Sequence, residues 1–527
     1  MEKIFTLLIS ALFYILIAGN SAIAQEFVEG YVYEDIGQTG QRDDGDPGIS
    51  GVMVSNQRDV VLTDDEGLYR LPIKEGQIVF ITKPAGFDFV LNEMNIPQFF
   101  YIHQPQGSPE LNFHGVEPTG PLPETVDFDL IRSEIKDEFS AVIFGDPQAA
   151  NHQELSYYRD GVVSEMAGVE TDMIVALGDI MFDNLGLFGR YNEIMSVLDT
   201  PVFNIIGNHD INFDADGNRY ARETFKRHYG PSYYSFDVGD VHFIAIDNVD
   251  YFGYDENGNP KYVGNISPEQ LEWIANNLQH VSNDKLIVLL AHIPLYAPGR
   301  DDTASLITNN RRDLIALLED FNRVLFLGGH VHANFHSFLG EEFGRENKNP
   351  IHQILTAAAS GSWWKGPYNK NGIPVTTQRD GTPNGYHIFQ FSGNNYSERF
   401  KAAGLDAGYQ MRIESPQSEI SVSTLQDEEI RVNVFNGSEN SEVKYRINNN
   451  EWVAMERLDL AISSFFKEMR EEHDDHFLGW IQPIETTHIW RADFPGDLNA
   501  GIHKLEVWTR DMYGQEFTQT KVLEATD

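Results

Sequence analysis

Residues 141–148 read AVIFGDPQ, an apolar run that stops abruptly at Asp and Gln. The same event recurs in MIVALGDIMFD (173–183), VFNIIGNHD (202–210), LIVLLAHIP (286–294) and VLFLGGHVH (324–332). Each run begins as a Val-, Ile- and Leu-rich segment of the kind that forms a buried strand. One such strand end is common, but five together indicate a metal site. The candidate ligands and their neighbours are Asp146, Gln148, Asp179, Asp183, Asn208, His209, His292, His330 and His332.

Between these runs, apolar residues recur at helical spacing, as in LSYYRDGVVSEMAG (155–168) and SPEQLEWIANNLQHV (267–281). This alternation predicts an α/β domain over residues 138–405. The carboxyl ends of parallel strands lie side by side, so we expect ligands that are distant in sequence to converge there. Carboxylates, amide oxygens and imidazoles form a mixed O/N set, which favours Mn, Fe, Zn or Mg.

The segments on either side of this domain alternate apolar and polar residues with a period of two. In residues 25–104 this pattern predicts a small β-sandwich. The stretch from VEGYV (28–32) to TDDEGLY (63–69) resembles transthyretin-like, carboxypeptidase-regulatory-like domains. A Pro- and Gly-rich segment follows, so residues 105–137 are predicted to be a linker.

The last part of the chain, residues 406–527, returns to the β pattern and predicts an immunoglobulin-like β-sandwich. A charged insertion, LDLAISSFFKEMREEHDDHF (458–477), interrupts it and is predicted to be helical. Its acids and histidines form either a second metal cluster or a solvated helix end. The second interpretation is favoured because no neighbouring strand would hold them in register.

Composition restricts the location and the partners of the protein. Residues 1–24 begin with a short charged segment, continue with an apolar run and end in Ala-Ile-Ala, which predicts a signal peptide and an exported protein, periplasmic or secreted. No later run approaches transmembrane length. The chain of 527 residues has no cysteine, which excludes disulfides and thiolate metal sites. A formal charge of −42 argues against a nucleic-acid-binding surface.

The five strand ends, in this order and spacing, resemble the sequence blocks of calcineurin-like metallophosphoesterases. The blocks are Gly145-Asp146-Pro147-Gln148, Gly178-Asp179 with Asp183, Gly207-Asn208-His209-Asp210, His292 and Gly329-His330-Val331-His332. The flanking β domains resemble those of an exported bacterial subgroup. The resemblance implies a hydrolase that attacks a phosphomonoester or phosphodiester with a hydroxide bridging two divalent metal ions. Monoesterase and diesterase activity both remain open.

The resemblance also implies a role for each residue. Asp146, Gln148 and His332 would hold the first metal, Asp179 would bridge both metals, and Asn208, His292 and His330 would hold the second. His209 would lie beside the substrate, contacting the phosphoryl oxygens or donating a proton to the leaving group. Either Asp183 or Asp210 would orient His209.

One position departs from the family pattern. Most members have Asp-x-His in the first block, whereas this chain has Asp146-Pro147-Gln148. A neutral amide oxygen is a weaker and harder ligand than imidazole. We therefore expect a first metal site that is weaker, or that prefers Mn or Mg to Zn.

A loop rich in Gly, Pro, Asn and aromatic residues follows the last block, AAASGSWWKGPYNKNGIPVTTQRDGTPNGYHIF (357–389). Such a loop beside a site often sets specificity. Trp363 and Trp364 either form a wall for the substrate, with Asn384 and Tyr386 as polar contacts, or pack under the loop as core. Likewise Arg379 either pairs with an anionic substituent or is solvated.

A second functional class remains open at this stage. The protein would then be an exported binding or adhesion protein that keeps the fold without catalysis and uses its β modules to dock a partner. The near-complete ligand set argues against this alternative.

Overall fold

The computed structural model describes residues 25–527 apart from 301–302 and 496–497. The predicted signal peptide, residues 1–24, lies outside the described residues. Among the described residues, no helix has both the length and the apolar character needed to cross a membrane.

The N-terminal domain consists of two β-sheets, with strand orders β4-β1-β9-β6-β7 and β3-β2-β5-β8. Its strands are β1 Glu26–Glu34, β2 Met53–Ser55, β3 Val60–Leu62, β4 Leu68–Ile73, β5 Ile78–Thr82, β6 Phe87–Leu91, β7 Pro97–Gln98, β8 Phe100–Ile102 and β9 Phe128–Arg132. Strand β9 pairs parallel with β1 and antiparallel with β6. The segment predicted as a linker over 105–137 therefore contains a central strand of the domain. Local sequence did not reveal it because its pairing partners are distant along the chain.

The middle domain contains two facing sheets, with strand orders β12-β11-β10-β21-β22 and β13-β14-β17-β18-β20-β19. Its strands are β10 Glu138–Phe144, β11 Met173–Leu177, β12 Val202–Ile205, β13 Tyr234–Val238, β14 Val241–Ile246, β15 Val249–Tyr254, β16 Pro260–Gly264, β17 Leu286–Ala291, β18 Val324–Gly328, β19 Phe335–Leu339, β20 Ile351–Leu355, β21 Gly385–Ser392 and β22 Asn395–Ala402. Strands β10, β11 and β12 are parallel, and so are β14, β17, β18 and β20. The predicted strand runs thus form two parallel arrays, which the bridge between Gly145 and Ala358 connects.

Helices cover the outer faces of both sheets. They are α1 His152–Tyr158, α2 Ser164–Met166, α3 Phe188–Met195, α4 Glu223–Tyr229, α5 Pro268–Leu278 and α6 Arg311–Leu317, with α7 Ser464–Glu472 in the C-terminal region. A π-helical segment, Arg159–Val163, joins α1 to α2. Alternate residues of β10 face opposite sides, since Ala141 and Ile143 lie between the sheets whereas Val142 and Phe144 pack against the helices. The result is a four-layer helix–sheet–sheet–helix domain.

The N-terminal domain packs directly onto the middle domain. Phe80 of β5 meets Trp273 of α5 edge-on, with ring centroids 5.8 Å apart, and both side chains are fully buried. The Thr82 and Ser235 hydroxyls lie 2.7 Å apart across the same boundary. A single apolar cluster contains residues of both domains. The N-terminal domain is therefore held in place by a shared core.

The C-terminal domain again consists of two main sheets, with strand orders β23-β25-β31-β28 and β24-β33-β32-β26-β27. Its strands are β23 Met411–Ser415, β24 Glu419–Ser421, β25 Glu429–Val434, β26 Glu442–Ile447, β27 Val453–Ala454, β28 Glu456–Arg457, β29 Ala461–Ile462, β30 Glu485–Thr486, β31 Ile489–Asp493, β32 Gly501–Arg510 and β33 Glu516–Thr526. The predicted helical insertion is present as α7, and Ser463 caps it by accepting a hydrogen bond from Phe466 N.

We expect Phe80→Ala to destabilise both the N-terminal and the middle domain, by about 3–5 kcal/mol, because it leaves a cavity against Trp273. Urea unfolding followed by tryptophan fluorescence and by circular dichroism should give one shifted transition. Phe27→Ala is the matched control, since Phe27 is 41% exposed. Loss of the N-terminal domain alone, with an unchanged transition for the rest, would contradict the shared core.

Candidate metal centre

Five of the seven predicted ligands, and the neighbouring Asp183, lie on strained backbone. A positive φ is uncommon for residues other than glycine, costs free energy and concentrates at functional sites. The residues of the site that adopt it are Asp146 (49°), Gln148 (41°), Asp179 (47°), Asp183 (63°), His330 (75°) and His332 (52°). These angles turn the side chains at the strand ends toward one point instead of continuing the strands.

Glycine allows the strand ends to approach one another. A Cβ atom on Gly178 would lie 2.6 Å from His292 Nδ1, and one on Gly207 would lie 2.1 Å from Asp179 N. Any side chain at these two positions would push the ligand loops apart. The Gly-Asp and Gly-Asn pairs in the sequence therefore have a steric reason.

The first group of ligands gathers around Asp146, which follows β10 and is fully buried. Its two carboxylate oxygens each accept a hydrogen bond from His330 N at 3.1 Å. His332 Nε2 lies 3.5 Å from Asp146 Oδ1. Gln148, 2% exposed, donates from Nε2 to Asp179 Oδ2 at 3.0 Å. The amide of Gln148 thus reaches from the first group of ligands to the second.

The second group gathers around Asp179, which follows β11. Asp179 Oδ2 lies 3.1 Å from His292 Nε2, and His292 Nε2 lies 3.1 Å from His330 Nδ1. One ligand atom from each of these three residues fits within a 4.8 Å span. Asp179 Oδ1 accepts a hydrogen bond from His209 N at 2.9 Å, so the next strand end is tied to the same carboxylate.

The three imidazoles are held so that one ring nitrogen of each faces the acids. A backbone carbonyl can only accept, so the nitrogen that contacts it must donate. The pairs are His292 Nδ1 to Leu177 O at 2.8 Å, His332 Nδ1 to Gly361 O at 2.5 Å and His330 Nε2 to Ser305 O at 2.9 Å. Burial lowers the pKa of His330 and of His332 to about 3. Both rings are therefore neutral and offer a lone pair to a metal.

Two amides in the centre are incompletely satisfied. Asn208 is fully buried, yet neither its Oδ1 nor its Nδ2 has a hydrogen-bond partner among the described residues. Gln148 Oε1 is also buried without a partner in that part of the chain. Such groups are rare because each costs about 1–3 kcal/mol. Coordination of a cation would satisfy both oxygens, so the donor set fits divalent metal ions.

The two buried acids differ in their electrostatics. Burial raises the pKa of Asp146 to about 7, against the opposing charge of His292. Burial also acts to raise the pKa of Asp179, but His292 and His209 outweigh it and hold that pKa below its usual value. Burial would lower the pKa of His292, yet the Asp179 carboxylate raises it to about 9. The protein supplies too few cations for both carboxylates, and bound metal ions would supply the missing charge.

The alternative between Asp183 and Asp210 is resolved by their contacts. Asp183 Oδ1 lies 2.5 Å from His209 Nδ1, so Asp183 is the acid that orients this imidazole. Asp210 instead accepts hydrogen bonds from three backbone N–H groups, those of Gly207, Ile180 and Met181. Asp210 therefore braces two ligand loops and does not contact the imidazole. Sequence alone could not separate the two acids, because both lie close to ligand blocks.

The four predicted substrate contacts occupy different positions. Trp363 stacks on the His332 ring, with centroids 3.8 Å apart, and lies beside the centre. Trp364 is 2% exposed and donates from Nε1 to Pro147 O at 2.9 Å, so it packs under the loop. Tyr386 is buried in the same core, and Asn384 Nδ2 donates to Ala359 O at 2.9 Å. Of the four, only Trp363 is placed beside a predicted ligand.

Three aromatic residues near the centre were not predicted. Phe182 stacks on His209 with centroids 4.5 Å apart, Tyr262 meets His330 edge-on at 6.3 Å, and Trp480 meets Trp363 edge-on at 4.4 Å. Phe182 lies within the second sequence block, so its position was a usable signal. Tyr262 lies on the β15–β16 hairpin. Trp480 lies three residues beyond the stretch 458–477 predicted from sequence, in the C-terminal insertion, which in the structure is the segment 463–484 between β29 and β30. Neither carries a local signal that links it to the site.

Three family models match the chain. They describe the N terminal of calcineurin-like phosphoesterase (residues 37–117), the calcineurin-like phosphoesterase itself (139–334) and the C terminal of calcineurin-like phosphoesterase (354–517). These matches agree with the resemblance and with its flanking domains.

Individual similar proteins are more distant. The probable glycerophosphodiester phosphodiesterase GpdQ of Arcobacter nitrofigilis is 24% identical over 187 residues, which are 35% of this chain and 64% of that protein. The chain thus spans just under two thirds of that relative. Among solved structures, a dimetal phosphatase from Danio rerio has a TM-score of 0.36 at 14% identity and covers 50% of this chain and 96% of its own. The purple acid phosphatase PPD1 from yellow lupin (Lupinus luteus) seeds has a TM-score of 0.37 at 13% identity, and the match covers 71% of this chain and 67% of that protein.

We expect two divalent metal ions per chain, and we expect Asp179→Asn to reduce that number because it weakens the carboxylate shared by both groups. Elemental analysis after reconstitution with Mn, Zn or Mg measures the content. Asp284→Asn, a change to an exposed carboxylate, is the control. Chelation should also lower the melting temperature, since ligand present at about 100 times its Kd stabilises by about 2.7 kcal/mol. Unchanged metal content in Asp179→Asn would contradict the assignment.

Gln148→His should strengthen the first metal site and shift its preference toward Zn, because imidazole binds Zn better than an amide oxygen does. Competitive loading with equal Mn and Zn, followed by elemental analysis, tests this. Gln153→His on the exposed start of α1 is the control. An unchanged Mn-to-Zn ratio in Gln148→His would show that the amide does not set the preference.

Proposed function

Because the chain belongs to the calcineurin-like phosphoesterase family of phosphoester hydrolases, we propose that it is a metal-dependent enzyme that hydrolyses a phosphomonoester or a phosphodiester. The observation that carries the proposal is that the five strand ends bearing the seven candidate ligands meet around Asp146 and Asp179. The amide of Asn208 and the Oε1 atom of Gln148, which have no hydrogen-bond partner among the described residues, add to it. An inactive binding protein would have no reason to retain this strained and unsatisfied arrangement.

The ligands divide into two sets that share one carboxylate. Asp146, Gln148 and His332 would hold one divalent ion, and Asn208, His292 and His330 would hold the other, with Asp179 common to both. Two divalent ions in such a site lower the pKa of a bound water and neutralise charge on a phosphoryl group. Mn, Fe, Zn and Mg all suit this mixture of oxygen and nitrogen donors.

His209 is the candidate proton donor to the leaving group. Its side chain is 24% exposed, unlike the fully buried His292, so it faces the opening of the site. Asp183 fixes the Nδ1 side of the ring, which leaves Nε2 free to face a bound ester. Stacking on Phe182 holds the plane of the ring. A positioned imidazole with an acidic partner is the arrangement that general acid catalysis requires.

The flanking regions complete the proposal. We assign the two N-terminal sheets to a transthyretin-like domain and the two C-terminal sheets to an immunoglobulin-like domain, which their alternating strands support. We also propose that residues 1–24 direct export to the periplasm or the medium, which N-terminal sequencing of the mature protein would test. An acidic surface with 80 Asp and Glu against 38 Lys and Arg suits a small phosphate ester better than a nucleic acid as substrate.

Hydrolysis of p-nitrophenyl phosphate and bis-p-nitrophenyl phosphate by the metal-loaded protein should be abolished by EDTA and restored by added metal. Asp179→Asn should lower kcat/KM by at least about a thousandfold, because the lost electrostatic stabilisation exceeds about 4 kcal/mol. Asp284→Asn should remain active. A protein with two bound metal ions but no turnover of these or other phosphate esters would refute the proposal.

His209→Asn should reduce turnover by about 10²–10⁴-fold, and more for an alkyl phosphate than for a nitrophenyl phosphate, since nitrophenolate leaves without a proton. The measurement is the ratio of kcat for glycerol phosphate to kcat for p-nitrophenyl phosphate. Asp183→Asn should change this ratio in the same direction, by a smaller factor. His280→Asn, at an exposed histidine, is the control. Equal losses on both substrates would show that His209 does not donate the proton.

A further inference from the structure

The C-terminal insertion reaches the rim of the candidate metal centre. Its small apolar cluster consists of Phe466, Met469, Phe477 and Ile481, and Trp363 of the middle domain packs against it. Ile484 N also donates to Arg379 O at 3.1 Å. The insertion and the loop after the last ligand block therefore form one packed unit.

An aromatic surface extends outward from a predicted metal ligand. Trp363, held at a φ of 55°, stacks on His332 with an interplanar angle of 20°. Trp480 meets Trp363 edge-on at 4.4 Å and is 51% exposed. A large indole left half in solvent beside a ligand-binding centre is suited to cover a planar group of a ligand.

A cation lies beside this surface. Arg379 N donates to His332 O at 3.3 Å, and Arg379 Nε donates to Gln482 O at 3.0 Å, two residues from Trp480. Within the described residues Arg379 makes no ion pair, although the chain carries 80 acidic residues. A guanidinium is always protonated at neutral pH, so Arg379 places a positive charge beside the aromatic surface.

Arg300 strengthens the positive potential at this place. Burial lowers the pKa of Arg300, and among the described residues the carboxylate of Glu485 counteracts this. Two guanidinium groups near each other disfavour each other's charge, and an anion that binds between them relieves this cost. Guanidinium groups match phosphate in geometry and charge.

A simpler role for Arg379 would be to brace the insertion through its hydrogen bond to Gln482 O. That contact uses a single N–H of the five that a guanidinium carries. A brace would require neither the positive charge nor the neighbouring Arg300.

We infer that Arg379, Trp363 and Trp480 form a subsite for the leaving group of the substrate, and that this leaving group carries a planar ring and a second phosphate. The inference rests on the proposed phosphoesterase function and specifies its substrate class, a ring-containing ester with two phosphates. The aromatic surface contacts the ring, and the guanidinium pairs with the phosphate that is not cleaved.

The test compares esters that differ by one group. Adenosine 3′,5′-bisphosphate and adenosine 5′-phosphate differ only in the second phosphate, and adenosine 5′-phosphate and ribose 5-phosphate differ only in the base. Phosphate release by the metal-loaded protein gives kcat/KM for each, and chromatography of the nucleoside products shows which phosphate leaves. We expect the bisphosphate to be preferred over adenosine 5′-phosphate by at least about tenfold, or 1.4 kcal/mol.

Arg379→Met should bring the ratio of kcat/KM for the bisphosphate to kcat/KM for adenosine 5′-phosphate close to one. Arg379→Lys should restore part of this preference because it keeps the positive charge, whereas a residue that only braces the insertion would not depend on charge. Trp480→Leu should lower the preference for adenosine 5′-phosphate over ribose 5-phosphate. Arg190→Met on α3 and Trp452→Leu, both at exposed positions, are matched controls that should leave the two ratios unchanged. No bisphosphate preference in the unaltered protein, or an unchanged preference in Arg379→Met, would overturn the subsite.

Binding separates this inference from the proposed function. Calorimetric titration with adenosine 3′,5′-bisphosphate does not require turnover, so it detects the subsite even in a protein that hydrolyses none of these esters. Binding that weakens at least about tenfold in Arg379→Met supports the subsite in that case. Hydrolysis of nitrophenyl esters without such binding would support the proposed phosphoesterase function and reject the subsite.

Discussion

The rest of the structure depends on two carboxylates, Asp146 and Asp179, that are buried as neighbours at the ends of β10 and β11. Removing a carboxylate from water costs several kcal/mol unless cations and hydrogen-bond donors replace the water. Backbone N–H groups and the imidazole of His292 replace part of it. The Asn208 amide and Gln148 Oε1 have no hydrogen-bond partner in the described part of the chain, so they remain available to a cation. A divalent ion on each side of Asp179 would complete the balance, which links folding of this region to metal binding.

The chemistry of the site could be predicted from sequence because it lies where strands end. Buried parallel strands are recognisable as apolar runs, and the first polar residue after each run lies at the carboxyl end of its sheet. The two sheets of the middle domain meet at these ends through the bridge between Gly145 and Ala358. The helical stretches at 155–168 and 267–281 followed from the spacing of their apolar residues. The first lies in α1, the π-helical segment and α2, and the second contains α5.

What sequence did not reveal depends on contacts between distant segments. Strand β9 is short and follows a Pro- and Gly-rich segment, so only its pairing with β1 and β6 identifies it. The roles of Asp183 and Asp210 differ through the direction of one side chain, and both follow a ligand block closely. Trp480 lies 148 positions after His332 in the chain numbering, and its proximity arises only when the insertion packs on Trp363.

The flanking domains therefore affect the site by different physical routes. The N-terminal domain shares an apolar core with the middle domain and contributes stability at a distance from the ligands. The C-terminal insertion instead contacts Trp363, which stacks on His332, so its packing bears directly on a ligand. Strand ends strained into positive φ leave little room for change at the metal ions themselves. Variation in substrate must then come from the loops around them. The insertion places a half-exposed indole at that rim, together with the carbonyl that accepts a hydrogen bond from the half-buried Arg379.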